Sequence, residues 1–247
     1  MERYFIEVSY KGTKYSGFQI QENAVTIQSE LEKALQIFYK EKIDLTGSSR
    51  TDTGVHALQN YFHCDTALQL LQEHIYNINA ILPEDIVLKN IQKVKPSAHC
   101  RFDAISRSYQ YFIYQQKNPF LADRAWYYPF PLDMDLLNQS AEMLMQYEDF
   151  TSFSKKNTQV KTFNCTIEKS FWGKNNEGMI YHVTANRFLR GMVKGLTSTM
   201  LKVGRGQISL DEFENIILSK DCTQADFTAP PHGLFLIRVH YPSIVFE

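Results

Sequence analysis

The residues best suited to chemistry stand in one short run, Gly47-Ser48-Ser49-Arg50-Thr51-Asp52-Thr53-Gly54-Val55-His56-Ala57. The run sets a carboxylate, Asp52, among small residues, next to Arg50 and close to His56. Taken alone, Asp52 suits a nucleophile, a general base, a metal ligand or a loop cap bonded to its own backbone. A phosphoaspartyl phosphatase would want a second carboxylate two residues on, where Gly54 stands. A lone carboxylate beside a cation favours a nucleophile kept ionised, because a neighbouring positive charge lowers its pKa.

Three further sets of side chains invite chemistry. Arg187, Arg190 and Lys194 are spaced by three and four residues, which predicts one helix face opposite Leu189, Val193 and Leu196; such a face meets solvent or phosphates. Tyr109 alternates with Tyr111 and Ile113 on a strand, where an aromatic ring fills core or stacks a base. His63-Cys64 and His99-Cys100 supply four zinc-type ligands as two dipeptides. Both segments read as extended, and neighbours on a strand face opposite sides of the sheet, so one metal could not take both members of a pair. No metal is expected.

These residues need elements to hold them. Tyr4, Ile6, Val8 and Tyr10 alternate with Arg3, Phe5, Glu7 and Ser9 as a strand. Ile27, Leu31, Leu35 and Phe38 form the apolar stripe of a helix that Thr26 can cap. Further periods predict strands over 58–64, 86–94, 107–114, 179–185 and 234–241. They predict helices over 68–81, 134–145, 188–203 and 210–218. Strands and helices mix in both halves in a similar order, so the expected class is α+β: two pseudo-symmetric α/β sandwich halves with mainly antiparallel sheets, joined around a central active-site cleft. The division is drawn as 1–104, with the Asp52 loop, and 105–247, with the Tyr109 strand and the Gly233-Leu234 strand.

Composition bounds the partners. The 247 residues carry 26 Lys plus Arg against 27 Asp plus Glu, a formal net charge of −1, with 44% hydrophobic and 13% aromatic residues. That excludes a disordered chain and a strongly basic tail, and leaves a local basic patch open. Cys64, Cys100, Cys165 and Cys222 are dispersed without a CxxC pair, the N-terminus lacks an export pattern, and no run approaches the roughly 18 apolar residues of a membrane span. A cytoplasmic protein with reduced thiols is expected.

Arg50-Thr51-Asp52-x-Gly54-Val55-His56-Ala57 resembles the signature of the tRNA pseudouridine synthase A family. Tyr10-Lys11-Gly12-Thr13-x-Tyr15-x-Gly17-Phe18-Gln19, Leu82-Pro83-x-Asp85-Ile86, His99-x-Arg101-Phe102-Asp103-Ala104, Arg107-x-Tyr109-x-Tyr111, Asp149-Phe150-Thr151-Ser152-Phe153, Arg187-Phe188-Leu189-Arg190 and Ala229-Pro230-Pro231-x-Gly233-Leu234 follow in the family order. The resemblance covers almost the whole chain. It implies an isomerase that converts uridine to pseudouridine at nucleotides 38 to 40 of the tRNA anticodon arm, without cofactor or metal, as a homodimer. On the matching positions it implies that Asp52 is the nucleophile, Tyr109 the ring that stacks on uracil and removes its C5 proton, and Leu234 an apolar wall of the uracil pocket. Arg187 and Arg190 would meet phosphates, Lys194 would pair with Asp52, and Arg50 would fill the space of an extruded base or brace its loop. His56 reads as a brace of the same loop. Asp52 and Tyr109 would meet in the cleft.

The chain departs from the family in Phe18 for Trp, Ser49 for Gly and Lys194 for Arg. Lys is a point charge where Arg offers a planar fork, which loosens orientation of a carboxylate. The rival reading is a non-catalytic RNA-binding module that stacks bases on Tyr109 and Tyr111. A weaker one is an Asp-dependent hydrolase of a small substrate. On the main reading, the balanced net charge means that RNA must be held by a few cations gathered locally, among them Arg50, Arg187, Arg190 and Lys194.

Overall fold

The computed structural model describes residues 1–156 and 160–246. In chain order the strands are β1 (Glu2–Tyr10), β2 (Thr46–Gly47), β3 (His56–Thr66), β4 (Ile86–Val94), β5 (Ser106–Tyr114), β6 (Trp126–Tyr127), β7 (Ile167–Lys174), β8 (Met179–Ala185) and β9 (Leu234–His240). The α-helices are α1 (Ile27–Tyr39), α2 (Ile75–Ile81), α3 (Met134–Met143), α4 (Met192–Gly204) and α5 (Leu210–Ser219). The chain divides into two compact units, residues 1–105 with 235–247, and residues 106–234. A cut at 104/105 would leave the last strand in the second half. Parallel pairing of β9 with β3, Phe235 opposite His56 and Leu236 opposite Ala57, groups residues from Phe235 onward with the first unit.

In the first unit β1 is the central strand, antiparallel to β3 on one side and to β4 on the other. Its alternation has the physical consequence expected of a strand: Tyr4, Ile6, Val8 and Tyr10 are buried on one face. Phe5, on the other, meets the rings of Tyr61, Tyr241 and Phe246. The pairing of β1 with β3 slips between Val8, opposite Asn60, and Tyr10, opposite Ala57. Such a slip turns the strand end and re-aims its last side chain. Helix α1 begins where the sequence predicts, with Thr26 and Ser29 capping one another's backbone.

The second unit is built on β5, antiparallel to β8, which is in turn antiparallel to β7. Tyr111 and Tyr181 are opposite one another across β5 and β8 and fully buried. Burial drives both phenols well above their ordinary pKa, so each stays a neutral hydrogen-bonding group: Tyr111 donates to Pro230 O at 2.7 Å, and Tyr181 Oη lies 2.9 Å from Ser170 Oγ. Helix α3 packs on α4 and β7, and α5 on both helices. Each unit is a mainly antiparallel sheet carrying helices, with β9 parallel to β3 in the first and β6 parallel to β5 in the second, and the fold class is α+β.

Four expectations are corrected. The helix expected over 68–81 shrinks to a turn at Gln72–His74 followed by α2, because Thr66 Oγ1 accepts the Leu68 amide and closes a local turn there. The helix expected from Phe188 begins only at Met192, since Gly191 takes a left-handed φ of 76° and interrupts helical geometry. Arg187 and Arg190 therefore precede α4, and no single helix face carries them with Lys194. Nor is α4 open to solvent opposite Leu196: all but one of its residues, including Lys194, are buried. Finally, His99-Cys100 is a turn preceding β5 and not an extended segment.

All four cysteines are thiols. Burial pushes Cys64 up to about 12 and Cys165 to about 11, which keeps them protonated and unreactive. Among the described residues no helix is long and apolar enough to cross a membrane.

Candidate active site

The Gly47–Ala57 segment is fixed from several directions, and every anchor belongs to the first unit. Ser48 donates its amide to Tyr61 O at 2.8 Å and its hydroxyl to Cys100 O at 2.6 Å. Asn60, fully buried on β3, grips Ser49 twice: Oδ1 accepts the Ser49 amide at 3.3 Å and Nδ2 donates to Ser49 O at 2.8 Å. The same Nδ2 donates to Tyr10 Oη at 3.1 Å, and Tyr10 Oη lies 2.7 Å from Thr51 Oγ1. Thr51 O accepts the Phe18 amide at 3.1 Å. Beyond the tip, Val55 donates its amide to Asp52 O at 3.1 Å, and His56 Nδ1 accepts the Gly12 amide at 3.0 Å. The His56 ring lies 4.5 Å from that of Phe235 and is almost wholly buried, which makes it a brace of the loop.

The result is a stiff loop with an open tip. Ser48, Ser49, Thr51, Val55 and His56 are buried, while Arg50, Asp52 and Thr53 are exposed. Turning the chain at the tip requires Gly54, whose φ of 79° lies where side-chain-bearing residues are strained. Phe18 stacks on Phe62 at 4.3 Å beneath Gly47, where a Cβ would stand 2.5 Å from the Phe18 ring. A carboxylate on a tip held this way keeps its position while a large substrate approaches.

Ser49 carries a cost of its own. Its hydroxyl is buried and has no hydrogen-bond partner among the described residues. An orphaned hydroxyl is a standing cost, so Ser49→Ala is expected to stabilise the protein by about 1 kcal/mol. For a chain of this size that raises Tm by roughly 2–4 °C. Calorimetry of the two proteins checks it; a fall in Tm would contradict it.

In the second unit Tyr109 is on β5 opposite Val183, and it is nine-tenths buried with its ring 5.0 Å from Phe188 in an edge-on contact. Leu234 is also buried and follows Gly233, where a Cβ would stand 2.7 Å from the Tyr111 ring. That close approach is why glycine precedes the leucine. Arg187 reaches Thr162 Oγ1 at 3.4 Å, and Arg190 is exposed, its carbonyl accepting the Lys155 amide at 3.0 Å. Lys194 is 8% exposed in the first turn of α4.

Sequence reasoning names Asp52, Arg50, Tyr109, Lys194, Leu234, Arg187 and Arg190 but misses Tyr10 and Asn60. A signal existed: Asn is depleted in strands, and one inside an otherwise apolar strand asks for a polar duty.

Comparison with known proteins places the chain in a family. A family model described as tRNA pseudouridine synthase matches residues 6–103 and 142–242. The chain belongs to the tRNA pseudouridine synthase family. Among curated relatives, it is 41% identical to the tRNA pseudouridine synthase A of Parabacteroides distasonis, over 100% of this chain and 98% of that one. It is likewise 41% identical to that of Porphyromonas gingivalis over 100% of both chains, and 37% identical to that of Staphylococcus aureus over 96% of this chain and 91% of the relative.

Proposed function

We propose that this protein isomerises uridine to pseudouridine in tRNA, at one or more of nucleotides 38, 39 and 40 of the anticodon arm, with Asp52 as nucleophile. The observation that supports this best is the construction of the loop: its anchors fall on Ser48, Ser49, Thr51, Val55 and His56 and leave Asp52 exposed at the tip. Family membership supports the substrate class.

The reaction balances within the nucleotide. The C1′–N1 bond breaks with its electron pair going to N1, the uracil turns, C5 bonds to C1′, and the proton displaced from C5 is lost as N1 gains one. Asp52 adds to the sugar or the base and leaves again, so no atom of the enzyme is consumed. An ionised carboxylate also stabilises positive charge developing at C1′. Tyr109 stacks on the uracil and takes the C5 proton; a phenol is a weak base, so this step comes late or passes through water. Lys194 supplies the countercharge for Asp52, and Leu234 walls the base. Extruding the uridine from a stem costs a few kcal/mol, which Arg50 offsets by filling the gap.

Arg187 and Arg190 hold phosphates, and a homodimer working in the cytoplasm brings two such surfaces to one tRNA. With so few cations engaged, the slope of log affinity against log salt is modest, and Arg190→Ala should reduce it by about 1 while weakening all tRNAs alike. Filter binding from low to moderate salt measures this. The activity itself is tested on an unmodified tRNA transcript, with pseudouridine mapped by carbodiimide-dependent reverse-transcription stops. Stops at 38, 39 or 40 are expected; no product on any anticodon arm would defeat the proposal.

A further inference from the structure

Three ligand-bearing side chains outside the Asp52 loop converge in the first unit. His63 is on β3, and His99 and Cys100 are on the turn that precedes β5. One ligand atom from each of the three lies within 4.8 Å of the others. His63 Nδ1 is 3.1 Å from Cys100 Sγ, and the two imidazole rings pack edge-on with centroids 4.6 Å apart. We propose that His63, His99 and Cys100 form a binding site for a borderline-soft divalent cation of the zinc class.

The objection from strand geometry applies to only half of the ligand set. Cys64 follows His63 on β3 and points to the opposite face of the sheet, so it is not a ligand. His99 and Cys100 are neighbours on a turn, where consecutive side chains can share a side. Two imidazole nitrogens and a thiolate suit zinc, and suit magnesium or calcium poorly, because those ions take oxygen ligands.

The ligands are held in place before any ion arrives. Cys100 O accepts hydrogen bonds from Ser48 Oγ, at 2.6 Å, and from Tyr241 Oη. Asp103 Oδ2 accepts the His99 amide at 2.7 Å. Cys100 and His63 are buried while His99 is partly exposed, so the group has two inner ligands and one at the surface, where water can complete a tetrahedron. Two local bonds oppose binding. The Arg101 amide donates to His99 Nδ1 at 3.1 Å, and coordination through either ring nitrogen disturbs that bond. Cys100 Sγ donates to Thr46 O at 3.2 Å, and the thiol must lose its proton to coordinate. The site is therefore weaker than a four-ligand structural zinc centre. It also sits at the root of the Asp52 loop, since Thr46 pairs with His63 and Ser48 bonds Cys100.

The test uses the full chain without an affinity tag, stripped with chelator and titrated with Co2+ and then Zn2+. Expected are one equivalent of Co2+ with a thiolate-to-cobalt charge-transfer band and tetrahedral visible bands, and their loss when Zn2+ displaces the cobalt. Cys100→Ser should abolish the charge-transfer band, while Cys64→Ser, Cys165→Ser and Cys222→Ser should keep it. His99→Ala should weaken binding by about tenfold or more. No charge-transfer band in the parent protein would overturn the site, as would a band that survives Cys100→Ser. If Cys100→Ser fails to fold, His99→Ala decides alone, because His99 is the surface ligand; undiminished affinity there overturns the proposal.

Discussion

Replacing Asp52 by Asn is expected to lower pseudouridine formation by at least about 10^4-fold while leaving tRNA affinity within a few fold. Asn keeps the shape of the side chain and loses the charge and the nucleophilic oxygen. The loop does not depend on the carboxylate: its bonds run through Asp52 O, Thr51, Ser49 and Ser48, and all survive the change. Asp52 is exposed, and an exposed substitution of this kind alters stability by no more than about 0.5 kcal/mol. Loss of turnover at unchanged Tm would thus report chemistry and not unfolding. Single-turnover assays at saturating enzyme, beside binding measured on the same transcript, separate the two quantities. An active Asp52→Asn protein would end the assignment of the nucleophile. A variant that loses binding along with turnover would turn Asp52 into a substrate-recognition residue.

How far the sequence could be read depends on whether the relevant information is contiguous. Strand β4 at 86–94 and strand β8 at 179–185 have the predicted limits, because an alternating stretch between turns needs no knowledge of its partner. Strand β7 was invisible for the converse reason. Lys169, Phe171 and Lys174 are exposed, and its regularity comes from pairing with β8, not from its own residues. The start of α4 misleads differently. Leu189 and Val193 are both buried, and a helical stripe accounts for them as well as a turn does, but the φ at Gly191 decides for the turn. The same distinction runs through the site. Asp52 and its immediate neighbours can be picked out of an uninterrupted string. The residues that aim it, Tyr10 and Asn60, are 50 positions apart and meet through the register of β1 and β3, including the slip after Val8. His63 and Cys100, separated by 37 positions, meet because residues 99–103 form a turn that no periodicity announces.

That dependence on register makes Gly12 the residue where a single methyl group should do most damage to the fold. Gly12 has an unremarkable backbone angle, so its need for glycine is one of space. A Cβ there would lie 2.0 Å from the Val55 carbonyl oxygen and 2.8 Å from its carbon. Both obstructing atoms are backbone, and neither can rotate away as a side chain would. Segment 12–15 must then separate from residues 55–56, stretching the bond from the Gly12 amide to His56 Nδ1 inside the protein. Overpacking of this kind and a broken buried bond together cost about 3 kcal/mol or more, a fall in Tm of roughly 6–12 °C for a chain of this size. Because Val55 and His56 close the Asp52 tip, a displacement near 1 Å should also cost about 100-fold in turnover. Gly206→Ala is the control: its φ is +67°, and nothing lies within 4 Å of the added methyl. There only backbone strain of about 1–2 kcal/mol is expected, with turnover unchanged. Thermal unfolding and single-turnover rates of both variants distinguish the cases. A Gly12→Ala protein as stable and active as its parent would mean that the loop carrying Asp52 is not held against residues 12–15.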